Sequence, residues 1–113
     1  MHELAISESL IAMIEENAVA RGFRRVRKVR VEIGRLSSVH APSMRMCFAV
    51  VSRGTMAEHA ELDVIDVPGR GSCASCGRQF EIARHAARCP HCMGAHVAVV
   101  EGTGMRLKEL VVE

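Results

Sequence analysis

Two CxxC pairs constrain this chain more than any other feature. Cys73-Ala-Ser-Cys76 and Cys89-Pro-His-Cys92 stand twelve residues apart. Each pair offers two sulfurs from one tight loop. Two such loops facing each other supply four thiolates in a tetrahedron, the closed arrangement of a structural zinc site. Gly77, directly after the first pair, lets the backbone curl under the metal. Phe80 and Ile82, then Val97, Val99 and Val100, can supply the short strands of a zinc ribbon. Four protein ligands leave no open coordination position, so Cys73, Cys76, Cys89 and Cys92 read as a structural zinc(II) site and not a catalytic one. Iron also suits four sulfurs, and paired redox dithiols are the other alternative. No βαβ pattern surrounds either pair to favour redox chemistry. The cysteine count of five is odd, which disfavours a disulfide framework.

The remainder must fold around or beside this module. At 113 residues the chain makes one compact domain or two very small ones. A module of about 40 residues needs a staple such as a metal to stand alone. From Leu4 to Arg21, the residues Ile6, Leu10, Met13, Ile14 and Ala18 fall at helical spacing, with Glu8, Glu15 and Glu16 toward water and Gly22 as the stop. Val29, Val31 and Ile33 then alternate with Arg30 and Glu32, the pattern of a half-buried strand ending at Gly34. A second helix starts near Pro42, with Met44, Cys47, Phe48 and Val51 on its apolar stripe; Cys47 reads as a buried small hydrophobe. A second strand spans Leu62 to Val67, and Pro68-Gly69-Arg70-Gly71-Ser72 reads as a linker. A last strand, Met105 to Val112, alternates with one break near Glu109 and has no partner unless it returns to the first domain.

The expected architecture is therefore α+β. A small two-helix, mixed-sheet domain over residues 1–67 is completed by strand 105–113, and a zinc ribbon over residues 68–104 is inserted before that strand. No apolar run approaches the ~20 residues of a membrane span. The opening Met1-His2-Glu3 lacks a basic segment followed by an apolar one, so a cytoplasmic location is expected.

The amino terminus carries a second chemistry. The α-amine of Met1, the backbone nitrogen of His2 and its imidazole can close fused chelate rings around one metal. Planar nitrogen donors of this kind suit Ni(II) or Cu(II), and the Glu3 carboxylate can complete or orient the set. The plainer alternative is a surface histidine at a loose chain end. His40, just before the second helix, is a further candidate ligand, against the alternative of an exposed loop histidine. His85, His91 and His96 near the ribbon read as exposed histidines, with exchange against a thiolate as the other option.

Met1-His2-Glu3-Leu4 at the start, Val31-Glu32-Ile33-Gly34 after the first helix, the two cysteine pairs and the ending Gly104-Met105-Arg106-Leu107 together resemble the HypA/HybF family. The resemblance runs through the whole chain in order. It implies a nickel metallochaperone of [NiFe]-hydrogenase maturation, with Ni(II) as transient cargo at the amino terminus, His2 essential and Glu3 close by. It implies a nickel-binding domain built from both ends of the sequence and a separate zinc ribbon. It also implies two partners, the nickel-handling GTPase of the pathway and the hydrogenase large subunit, with urease as a second client of some relatives.

Two other function classes are weaker. Arg24, Arg25, Arg27, Lys28 and Arg30 could contact the phosphates of a nucleic acid, making the chain a zinc-ribbon adaptor. A net charge of +2, no Trp, no Tyr and three Phe give such an adaptor little charge and few stacking platforms. An enzyme would need a phosphate-binding glycine loop, or a nucleophile with its base, or an open metal position away from the amino terminus. None is visible, so a carrier that binds and releases fits better than a catalyst.

Overall fold

The computed structural model describes residues 2–85 and 87–113, and of His2 the backbone only. Helix α1 (His2–Arg21) is followed by strand β1 (Val26–Gly34), a 3-10 turn (Arg35–Ser37), helix α2 (Ala41–Val51) and strands β2 (Glu61–Val67), β3 (Gly69–Cys73), β4 (Gln79–Ile82), β5 (Val97–Glu101) and β6 (Met105–Val112). The strands form two three-stranded sheets, ordered β2-β1-β6 and β4-β3-β5. The chain divides into two compact units: Met1–Val31 with Val39–Ile65 and Arg106–Glu113, and Glu32–Ser38 with Asp66–Met105. Two helices, a mixed sheet and a four-cysteine module make the α+β architecture expected from the sequence.

In the first unit α1 buries Ser7, Leu10, Ile11, Ile14 and Ala18, which recur at three- and four-residue spacing on one face. Ile6 and Met13 flank this stripe half-buried, and Ile11 widens it on the opposite side. Ser7 is small enough to let α2 approach, and its hydroxyl donates to the Met44 carbonyl at 3.4 Å. On α2 only Met44 and Phe48 are fully enclosed. Cys47 lies on the flank of that pair and is half-buried, which corrects the expectation of a buried thiol.

Strand β1 turns Val26, Val29, Val31 and Ile33 inward. Its outward cations meet carboxylates on both neighbours. Lys28 pairs with Glu61 at 3.3 Å, and Arg30 pairs with Asp63 at 3.3 Å and with Glu109 at 3.2 Å. The first two partners advance together along β1 and β2, as in a parallel pair, and α2 is the crossover between them. By contrast, Glu113 N–H donates to the Arg25 carbonyl while Gly34 N–H donates to the Gly104 carbonyl, so β6 runs antiparallel to β1. The last strand thus returns to the first sheet.

In the second unit the Pro68–Ser72 segment is not a linker. Gly69–Cys73 is β3, the central strand of the sheet, paired antiparallel to both β4 and β5. Its glycines mark close packing. A Cβ on Gly69 would lie 2.7 Å from the Ile82 carbonyl oxygen and 2.7 Å from the Leu36 side chain. Gly102 packs its backbone against Gly69, and a Cβ on Gly34 would collide with the Gly102 carbonyl group. Three glycine backbones therefore meet where Leu36 N–H donates to the Gly102 carbonyl at 2.9 Å.

The 3-10 turn sets Leu36 into a core with Cys73, Phe80, Ile82 and Cys89, against which Val97 and Val99 pack. That burial is why residues 32–38, read from sequence as part of the first domain, group with the second unit. Val100 faces solvent at 51% exposure. Arg35 is tied to Asp66 at 2.8 Å and to Glu81 at 3.4 Å. Its guanidinium pKa is raised by the Asp66 hydrogen bond and charge, with Glu81 adding less.

Candidate metal centre

The two cysteine loops fold identically. Cys73 N–H donates to the Arg78 carbonyl and Gly77 N–H to the Cys73 carbonyl; Cys89 N–H donates to the Gly94 carbonyl and Met93 N–H to the Cys89 carbonyl. The fifth residue of each loop is left-handed, Gly77 at φ 75 and Met93 at φ 63. Glycine accepts that conformation freely, whereas Met93 holds it against a steric penalty of roughly 1–2 kcal/mol. The sequence contains no signal for this strain, since nothing marks a methionine as left-handed.

These loops bring all four predicted sulfurs together. Cys73 Sγ lies 3.6 Å from Cys92 Sγ, and Cys76 Sγ lies 3.6 Å from Cys89 Sγ. All four lie within 4.8 Å of one another. A zinc ion with Zn–S bonds of about 2.3 Å has a tetrahedron edge of about 3.8 Å, so the donor set fits. Cys73 and Cys89 are buried, while Cys76 and Cys92 are exposed.

The electrostatics call for a cation. The Cys76 backbone N–H stabilises the Cys73 thiolate against the cost of burial, and Ser75 N–H and the Cys92 thiol add to it, lowering the Cys73 pKa to about 6. At Cys92 the Gly94 N–H also favours the thiolate, but the neighbouring Cys73 sulfur and desolvation outweigh it and push the thiol up to about 11. Four sulfurs this close cannot all ionise unless a metal offsets the charge.

Around the loops, His91 N–H donates to Cys89 Sγ at 3.4 Å, and the Arg78 guanidinium lies 3.0 Å from His91 Nδ1. Arg88 donates to the Met93 carbonyl at 3.0 Å, and His85 Nε2 lies 3.2 Å from the Leu36 carbonyl oxygen. His85, His91 and His96 are all exposed.

At the other predicted site, Met1 and the His2 side chain lie outside the described residues. The other two candidates, Glu3 and His40, are described. Glu3 is in the first turn of α1, and its Oε2 accepts from the His40 backbone N–H at 3.0 Å. His40 is the N-cap of α2, with Pro42 in the first helical turn. Its Nδ1 accepts from Ser43 N–H at 3.3 Å and lies 2.7 Å from Ser43 Oγ. Glu3 and His40, 37 positions apart in the chain, are thus adjacent. Ser43 was missed from sequence, because the residue that signals a capping box at this position is Glu or Gln and not Ser.

The basic run of β1 is occupied. Arg27 pairs with Glu113 at 3.3 Å, and Lys28 and Arg30 carry the pairs described above. Three of the five cations of the nucleic-acid reading, Arg27, Lys28 and Arg30, thus face the sheet's own carboxylates. No described helix is long and apolar enough to cross a membrane.

Comparison with known proteins agrees with this geometry. Residues 1–112 match the family model described as "Hydrogenase/urease nickel incorporation, metallochaperone, hypA". The hydrogenase maturation factor HypA of Azotobacter vinelandii is 42% identical over 113 residues, covering 100% of both chains. That of Rhodobacter capsulatus is 44% identical over 112 residues, covering 99% of both. The solution structure of the Ni metallochaperone HypA from Helicobacter pylori superposes with a TM-score of 0.75 at 26% identity, over 97% of this chain and 96% of that one. A second HypA solution structure gives 0.76 at 28% identity, over 100% and 97%. With the family model matching from end to end, this chain belongs to the HypA family of hydrogenase maturation nickel metallochaperones.

Proposed function

We propose that this protein binds Ni(II) at its amino terminus and delivers it for [NiFe]-hydrogenase maturation, with urease as a second client. The donors are the α-amine of Met1, the backbone nitrogen and imidazole of His2, and the Glu3 carboxylate, with His40 as a further side-chain ligand. The observation that carries this reading is the 3.0 Å hydrogen bond from His40 N–H to Glu3. It supports a site at which the first turn of α1 and the start of α2 converge. An exposed site at a chain end suits a carrier, which must release its cargo and so avoids an enclosed cavity. Cys73, Cys76, Cys89 and Cys92 hold structural zinc(II), whose binding free energy folds the second unit. The partners are the nickel-handling GTPase and the hydrogenase large subunit, met in the cytoplasm.

Ni(II) titration of protein with and without a short extension before Met1 tests the site. The extension converts the amine to an amide, a poor neutral donor, while leaving every side chain intact. Both the extension and His2→Ala should abolish tight Ni(II) binding with zinc content unchanged. Glu3→Gln should weaken binding less. Equal nickel affinity in extended and native protein would show that the amine is not a ligand. Deletion of the gene should leave hydrogenase unprocessed at low nickel and be rescued by excess nickel; full activity at low nickel, with no redundant paralogue, refutes the delivery role.

A further inference from the structure

Helix α2 begins on an imidazole where Ser, Thr, Asp or Asn usually caps. His40 is extended at φ −88 and ψ 109, and its ring nitrogen takes the place of a capping oxygen. A backbone N–H can only donate, so in the 3.3 Å contact with Ser43 N–H the His40 Nδ1 offers its lone pair and the ring proton sits on Nε2. The Ser43 hydroxyl, 2.7 Å from the same nitrogen, is not bound by that rule. It can donate to the Nδ1 lone pair or accept from an Nδ1–H. His40 is exposed, and its Nε2 has no hydrogen-bond partner among the described residues.

We propose that Ser43 is a positioning residue for metal capture by His40, its hydroxyl holding the ring in whichever of two tautomers the metal state requires. The inference rests on the nickel site proposed above. Without metal, Nδ1 accepts from Ser43 and caps the helix. When Nε2 gives its lone pair to Ni(II), the ring proton resides on Nδ1 and is donated to Ser43 Oγ. The balance is neutral. One proton leaves Nε2 for water, one arrives at Nδ1 from water, and the hydroxyl turns from donor to acceptor. A metal-bound histidine ordinarily donates its other N–H to an oxygen, which fixes the ring and raises its basicity. Glu3 meanwhile remains on the His40 backbone N–H, so the helix start keeps one carboxylate bond while it gives up the ring cap.

The test is Ni(II) titration of four full-length proteins with native amino termini: the unmodified chain, Ser43→Ala, His40→Ala and the double variant, with Ser43→Thr as the conservative control. Ser43→Ala should weaken Ni(II) binding about tenfold, the lower end of the usual effect of losing such a partner. Ser43→Thr should restore it. In the His40→Ala background, Ser43→Ala should have no further effect, because its action passes through the ring. A merely structural serine would weaken binding equally with and without His40, and that result overturns the proposal, as does native affinity in Ser43→Ala. If the unmodified protein takes up no Ni(II), the nickel site itself fails. If it binds nickel and only the Ser43 dependence is missing, the nickel site stands without this positioning role.

Discussion

Gly69→Ala discriminates a packed strand from a flexible linker by the sign of its effect. In a linker, replacing glycine by alanine stabilises by about 0.4–1 kcal/mol, because it narrows the unfolded ensemble. In β3 the new Cβ would lie 2.7 Å from the Ile82 carbonyl oxygen, against an ordinary contact of 3.4–4 Å. That oxygen belongs to the backbone directly opposite in the β3–β4 register and cannot swing away. On the other side the same Cβ would meet Leu36, buried at 7% exposure, also at 2.7 Å. Relief requires β3 and β4 to separate by several tenths of an ångström. Overpacking of this kind costs about 1–3 kcal/mol. Less the unfolded-state gain, the net destabilisation is about 1–2 kcal/mol. For a unit this small that corresponds to a fall in Tm of roughly 5–15 °C. The assay is thermal unfolding of zinc-loaded protein, followed in parallel by amide hydrogen exchange across β3 and β4. An unchanged or raised Tm would refute the packing argument and restore the linker.

Four further outcomes follow from the same geometry. One zinc per chain should copurify, and Cys73→Ser or Cys92→Ser should lose it and disorder the second unit while the helical signal of the first persists; metal analysis that finds iron, or none, contradicts this. Chelator extraction of the zinc should accelerate as pH falls, because protons compete for thiolates: the depressed Cys73 pKa of about 6 favours the charged form above that value and loses the advantage below it. Met93→Gly should stabilise the second loop by about 1 kcal/mol, seen as a raised unfolding midpoint, since glycine carries no penalty at φ 63; no gain would mean that the Met93 side chain offsets the strain. Arg30→Met should cost no more than about 1 kcal/mol, and the difference from the native protein should shrink in high salt, because the pairs with Asp63 and Glu109 are partly exposed; a larger, salt-independent loss would identify a packing role instead.

Elements whose information is local could be read from residues alone. The helical spacing of Leu10, Ile14 and Ala18, the alternation of Val29, Val31 and Ile33, and the proline at the start of α2 each express a period or a backbone restriction that needs no distant partner. The four-cysteine cluster was equally legible, because a CxxC loop closes on itself and two such pairs call for one another. Tertiary structure decided what depends on meetings between distant segments. Pro68–Ser72 has the composition of a linker, and only the approach of Ile82, Leu36 and Gly102 makes its glycines the spacing elements of a central strand. Leu36 carries no period of its own, yet its burial beside Cys73 and Cys89 draws residues 32–38 out of the first domain. The basic run of β1 looked available to phosphates until β2 and β6 placed carboxylates on either side of it. At the amino terminus the sequence by itself named Glu3 and His40 separately as candidates. Their hydrogen bond exists only because α1 and α2 pack with their first turns together, a contact between residues 37 positions apart that no local pattern encodes.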